Sequence, residues 1–182
     1  MAGHLLFVTS NPGKVREVET ILDAPIEQVA LDLPEIQALD VEVVVRHKAH
    51  AAYSHVGKPI LVEDTGLYLG SLGGLPGALV RWFLIAIGPE GIAALIPSDA
   101  PRQALARTAV AICDGESVEV FIGETRGEVV PHPRGAGGFG WDSLFRPDGA
   151  LRTFAEMDQA EKNAYSMRRR ALIGLRGRLA AG

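Results

Sequence analysis

Apolar positions at the start of the chain first form a short unbroken run and then recur at helical spacing. Residues 5–9 read as a strand. Residues 12–22 read as a helix, with Val15, Val18, Ile21 and Leu22 on one stripe. A second strand is expected over 26–31 and a second helix over 41–56. A third apolar run, 60–62, ends at Glu63 and Asp64. The glycine-rich 66–77 segment reads as a loop holding one short strand, and 78–87 and 89–96 read as two helices. Two long apolar runs, 104–113 and 118–130, meet at Asp114-Gly115, a hairpin signal. A second Gly/Pro loop covers 131–140, and 160–181 reads as a final arginine-rich helix. Strand–helix alternation followed by a long hairpin predicts an α/β fold with a mixed sheet. One domain over 1–182 is expected, divided into two lobes with a cleft between them.

Composition narrows the class. The chain is 47% apolar and 22% charged, as in soluble globular proteins. Its formal charge of −4 gives no bulk attraction to nucleic acid or to an anionic membrane. Cys113 is the only cysteine, so no disulfide forms within the chain, which fits a cytoplasmic location. The N-terminus leads directly into a strand pattern, so no signal peptide is expected. The most apolar stretch, 78–87, is short and contains Arg81, so it is not expected to span a bilayer.

The segment Thr9-Ser10-Asn11-Pro12-Gly13-Lys14 closes the first strand and opens the first helix. Ser10 and Asn11 are capping types, and Pro12 suits the first helical position. Gly13 permits close approach to the backbone, and Lys14 adds charge beside the helix N-terminus. Two readings are open here, a phosphate site and a well-capped helix. The spacing is not that of a Walker A loop, because Val8 and Val15 stand where that motif needs Gly and Ser or Thr.

Adjacent carboxylates at a strand end, Glu63 and Asp64, are costly unless paired or bound to a cation. In an extended strand they point to opposite faces, so one faces a ligand unless the chain turns there. The alternative is an acidic turn in which Gly66 supplies an unusual backbone angle. Glu35 follows Pro34 in a loop, as a metal ligand or a solvent-facing acid. Phe139, Gly140, Trp141 and Asp142 follow three glycines; the aromatics either stack on a base or pack in the core. On one continuous last helix, Lys162, Ser166 and Arg169 share a face and Arg168 lies off it. For Lys162 and Arg168 to meet one ligand, Lys162 must sit in a loop leading into that helix. The histidines have no zinc-like context, and no Gly-x-Ser-x-Gly elbow is present.

These segments together resemble the inosine triphosphate pyrophosphatase family. The resemblance rests on Thr9 to Lys14, Glu63-Asp64-Thr65-Gly66, Leu72-Gly73-Gly74-Leu75-Pro76-Gly77, Phe139-Gly140-Trp141-Asp142, Thr153-Phe154-Ala155-Glu156-Met157 and Glu161-Lys162-Asn163-Ala164. It implies an elongated, two-lobed fold, a homodimer, and magnesium-dependent cleavage of non-canonical purine nucleoside triphosphates to monophosphate and pyrophosphate. It implies that Thr9, Ser10, Asn11 and Lys14 hold the triphosphate, with Lys48 as a further phosphate contact. Asp64 matches the catalytic acid and, with Glu35, the metal ligands. Thr65 would contact substrate, Phe139 to Asp142 would receive base and ribose, and Lys162 and Arg168 would hold base or phosphate. Met167 stands where the family usually has a histidine that reads the base. Methionine cannot donate that hydrogen bond. Relaxed or altered base choice, or a nucleotide-binding protein without catalysis, are the alternatives.

Overall fold

The computed structural model describes residues 6–180. Leu5 and Ala181, at the outer ends of the first expected strand and last expected helix, lie outside the described residues. The elements run β1 (Leu6–Val8), α1 (Pro12–Leu22), β2 (Glu27–Val29), α2 (Val41–Val56), β3 (Ile60–Leu69), β4 (Pro76–Gly77), α3 (Val80–Ala94), β5 (Gln103–Cys113), β6 (Val118–Val129), β7 (Phe145–Pro147), α4 (Gln159–Tyr165) and α5 (Met167–Ala180). They build a seven-stranded sheet in the order β2-β1-β3-β5-β6-β7, with β4 beside β3. β1 runs parallel to β2 and β3, and the other pairings are antiparallel. This is the expected mixed α/β sheet.

Helices cover both faces of the β1/β3/β5 end. On one face α2 packs Val41, Val45 and Ala49 on Ile60, Val62, Ala109 and Ala111. On the other, α1 and α5 pack Val15, Val18, Leu172 and Leu175 on Phe7, Leu61 and Val110. A third cluster, around Leu67, Leu69, Ile92, Phe145 and Phe154, fills the far end. Each fully buried aliphatic side chain contributes roughly 1.5–3 kcal/mol.

Two elements, β3 and the last helix, differ from expectation. β3 does not stop at Val62 but runs ten residues to Leu69, because β5 pairs with every one of them. Gly66 therefore sits inside a strand and not in a turn; a Cβ there would lie 2.8 Å from the Gly77 backbone, so the glycine admits β4. The hairpin loop spans 114–117, where the Asp114 carboxylate accepts from the Glu116 and Ser117 N–H groups. The last helix is two helices, because Ser166 takes φ −62° and ψ 120°. The expected break near Pro89 appears as a kink at Gly88, with φ 68° and ψ 179°. Among the described residues no helix is long and apolar enough to cross a membrane.

Candidate active site

The first turn of α1 is capped by its own sequence. The Asn11 side chain accepts from the N–H groups of Gly13 (2.9 Å) and Lys14 (3.3 Å). Pro12 has no N–H, and Val15 donates to the Asn11 carbonyl. The donors expected to bind an anion are thus already satisfied, so the capped-helix reading describes the backbone. The Lys14 ammonium remains as the cation at this turn, with its side chain 17% exposed. The Thr9 hydroxyl accepts from the Asn11 N–H and holds the turn, while Ser10 is exposed.

β3 separates the two adjacent acids by the period of a strand. Leu61, Glu63 and Thr65 face α1 and α5, whereas Ile60, Val62 and Asp64 face α2. No turn intervenes, so the two carboxylates have different environments. Asp64 Oδ2 is buried and makes no hydrogen bond. Burial pushes the Asp64 carboxyl up to about 6, against the pull of Lys14 and Lys48, and the negative charges of Glu35 and Glu63 add to the rise. Glu35 and Lys48, expected as separate site residues, pair with each other at 2.6 Å. Burial raises Glu35, but attraction to Lys48, Arg81 and Lys14 outweighs it and leaves the carboxyl below its ordinary value.

On the opposite face lies a buried ionic network. Arg168 grips Glu63 through Nε (2.6 Å) and Nη2 (3.1 Å) and also reaches Glu17. Lys162 Nζ lies 2.8 Å from both Glu17 and Asp142, and Lys14 lies 3.2 Å from Glu63. The carboxylates of Glu17, Glu63 and Asp142 thus balance the cations of Lys14, Lys162 and Arg168, which is what burial of such groups requires. Burial raises Glu63, but Arg168 and Lys14 overcome it and hold its carboxyl well below the usual range. The Phe139 ring lies 4.8 Å from Lys162 Nζ and 5.5 Å from Arg168 Cζ. Lys162 meets Arg168 from within helix α4 and not from a loop, because the break at Ser166 re-aims the chain between them.

A cavity of about 190 Å³ opens beside this network, lined in part by Gly13, Glu17, Gly138, Phe139, Phe154 and Lys162. Trp141 and Met167 do not border it. Trp141 is 6% exposed and packs edge-on against Phe145, and Met167 is 3% exposed in the same core cluster. The core reading holds for Trp141, and the Met167 thioether has an apolar packing role. Gly140 takes a positive φ of 64° between the Phe139 and Trp141 positions. Asp142 closes the 139–142 turn by accepting from the Phe139 N–H at 2.9 Å.

Glu17, Arg81 and Thr108 were missed from sequence. Glu17 carried a signal: it stands three residues after Lys14, beside the apolar stripe of α1. Thr108 had none, because only the register of β3 with β5 puts it opposite Thr65, where the two hydroxyls meet at 2.9 Å.

The Ham1 family model matches residues 5–177. The chain is 46% identical over 173 residues to inosine triphosphate pyrophosphatase 2 of Trypanosoma cruzi, covering 93% of this chain and 88% of that protein. It is 42% identical over 171 residues to the dITP/XTP pyrophosphatase of Pyrobaculum aerophilum, covering 92% and 91%. A HAM1 protein from Coxiella burnetii superposes with a TM-score of 0.83 at 28% identity, covering 98% of this chain and 100% of that one. The nucleoside-triphosphatase / dITP/XTP pyrophosphatase of Mycobacterium abscessus gives 0.73 at 32% identity, covering 95% and 98%. A match over nearly the whole sequence, together with this shared fold, means that the chain belongs to the Ham1 family.

Proposed function

We propose that this chain hydrolyses non-canonical purine nucleoside triphosphates to the monophosphate and pyrophosphate. The observation that carries the reading is Asp64 Oδ2: a buried, unpartnered carboxylate oxygen flanked by the charges of Lys14, Lys48 and Glu35. An orphaned acceptor of this kind is costly unless it serves a ligand. The names of the relatives in Trypanosoma cruzi and Pyrobaculum aerophilum support the substrate class.

In this reading Lys14 and Lys48 draw the polyphosphate to Asp64, midway along β3. Asp64, with its carboxyl pushed up to about 6, is ionised at neutral pH and still basic enough to take a proton from the attacking water. The oxygen of that water bonds to phosphorus as the bond between the α- and β-phosphates breaks, and pyrophosphate leaves with the bonding electron pair. Phe139 offers a ring face beside the cavity, Lys162 and Glu17 set its polarity, and Arg168 lies against the Phe139 ring.

Asp64 and Glu35 are hard oxygen donors, and the unpartnered oxygen of Asp64 fits a magnesium ion. Among the described residues no group of three or more His, Cys, Asp or Glu could hold a metal. That suits an ion which takes one or two protein carboxylates and fills its other positions with phosphate oxygens and water. When bound, magnesium would neutralise charge on the phosphates during cleavage.

A second reading, relaxed base choice, is favoured by the buried and apolar Met167. We also propose a homodimer, which the exposed Trp82 and Ile85 on α3 support, and a cytoplasmic location, which the single buried thiol of Cys113 supports. Light scattering tests the dimer. The deciding experiment for function is pyrophosphate release from inosine, xanthosine and the four standard triphosphates, with and without magnesium. Magnesium-dependent release led by inosine or xanthosine triphosphate is expected. Comparable rates for all would favour relaxed choice, and no release from any would refute the activity.

A further inference from the structure

Glu63 has no part in the step just described, yet it is 2% exposed and ionised. Burying such a group is costly unless its oxygens are partnered. Its partners come from distant parts of the chain. Arg168, at the start of α5, donates to both oxygens, at 2.6 and 3.1 Å. Lys14, at the start of α1, lies 3.2 Å from Oε1. The Thr65 hydroxyl donates to Oε1 at 2.7 Å and meets the hydroxyl of the fully buried Thr108 at 2.9 Å. A two-pronged grip on a guanidinium fixes its plane as well as its place. Strand β3 pairs with β5 at Glu63 and with β1 two residues earlier, which makes Glu63 a rigid anchor.

We propose that Glu63 is a positioning residue that clamps Lys14 and Arg168 in one fixed relation, so a single carboxylate sets both polyphosphate and base recognition. The inference rests on the pyrophosphatase reading, in which Lys14 serves the phosphate end and Arg168 lies against Phe139, the ring offered to the base. Glu63 does this without competing for the metal or the water, because Asp64 and Glu63 occupy opposite faces of β3. In Glu63→Gln the neutral amide offers one acceptor oxygen in place of two charged ones, so it cannot hold Arg168 and Lys14 together.

The test uses the full-length wild type, Glu63→Gln, Arg168→Lys and Thr108→Val. For each, kcat/KM is measured for inosine triphosphate against inosine diphosphate, and for inosine triphosphate against adenosine triphosphate. Such ratios do not depend on the fraction of folded enzyme, so a merely structural role would leave them unmoved. Glu63→Gln is expected to shift both ratios by roughly tenfold, the scale of one charged hydrogen bond. Arg168→Lys should shift the base ratio alone. Thr108→Val, which deletes only the hydroxyl behind Thr65, should shift both in the same direction by a few-fold, and it decides the matter if Glu63→Gln does not fold. Lower turnover with both ratios unchanged, or a shift in one ratio only, overturns the clamp. A wild type that releases no pyrophosphate overturns the pyrophosphatase reading and the clamp with it, whereas an active wild type with unshifted variants overturns the clamp alone.

Discussion

Replacing Asp64 with asparagine should stabilise the metal-free protein at neutral pH while it removes turnover. Burial lifts the Asp64 carboxyl from its ordinary 3.8 to about 6. Two pKa units correspond to about 3 kcal/mol of cost for carrying the charge in the folded state. The sign follows from proton counts. Below about pH 4 the group is protonated whether the chain is folded or not, and the cost is absent. Between about 4 and 6 the folded state keeps a proton that the unfolded state has released, so stability falls as pH rises. Above 6 the full penalty is present. Asparagine carries no charge, but its amide also lacks a partner at this spot, which costs about 1–2 kcal/mol. The net gain is then about 1–2 kcal/mol at pH 7.5, or roughly 2–8 °C in Tm for a chain of this size. Thermal unfolding in EDTA at pH 4, 5, 6 and 7.5 reads it directly. The variant should gain on the wild type steadily from pH 4 to 6 and then hold a constant lead. Magnesium at pH 7.5 should raise the wild-type Tm and leave the variant nearly unmoved. A gain that does not vary with pH, or a variant less stable at pH 7.5, would refute the assignment of Asp64 as a strained, ligand-seeking carboxylate.

Three further outcomes are expected. Lys162→Met leaves Asp142 without its cation in the interior, while Glu17 keeps Arg168, and should cost about 3–5 kcal/mol by urea unfolding at pH 7.5, with less loss at acid pH because burial raises the Asp142 carboxyl. Gly123→Ala sets a Cβ 1.9 Å from the Met167 carbonyl, so α5 must move off the sheet; a loss of about 2 kcal/mol or more in unfolding, with a raised KM as Arg168 shifts, is the expected pair of readouts. Phe139→Leu should raise KM several-fold at little cost in stability, while Trp141→Phe should do the opposite, lowering Tm and leaving KM within about twofold; a large KM effect from Trp141→Phe would put its ring at the substrate after all.

The legible parts of this protein were those that local rules govern. The capping of α1 by Asn11 and Pro12, the helix over 41–56, the hairpin at Asp114-Gly115 and the break near Pro89 follow from residue preferences acting over a few positions. The opposite facing of Glu63 and Asp64 was expected from strand period on the condition that the chain did not turn there. The same local view did not count the donors at that turn that Asn11 itself satisfies.

Tertiary structure decided what sequence spacing left open. Whether Glu63 to Leu69 formed a loop or a strand depended on β5 pairing beside it, forty residues on, and so did the meeting of Thr65 with Thr108. The fate of Trp141 depended on whether Phe145 and Phe154 surrounded it. Above all, the charges Glu17, Glu63, Asp142, Lys14, Lys162 and Arg168 are scattered along the sequence, and no spacing rule brings them together. Burying any one of them alone would be prohibitive; together they balance, and only the packing of α1, α4 and α5 on one sheet face brings them within bonding distance.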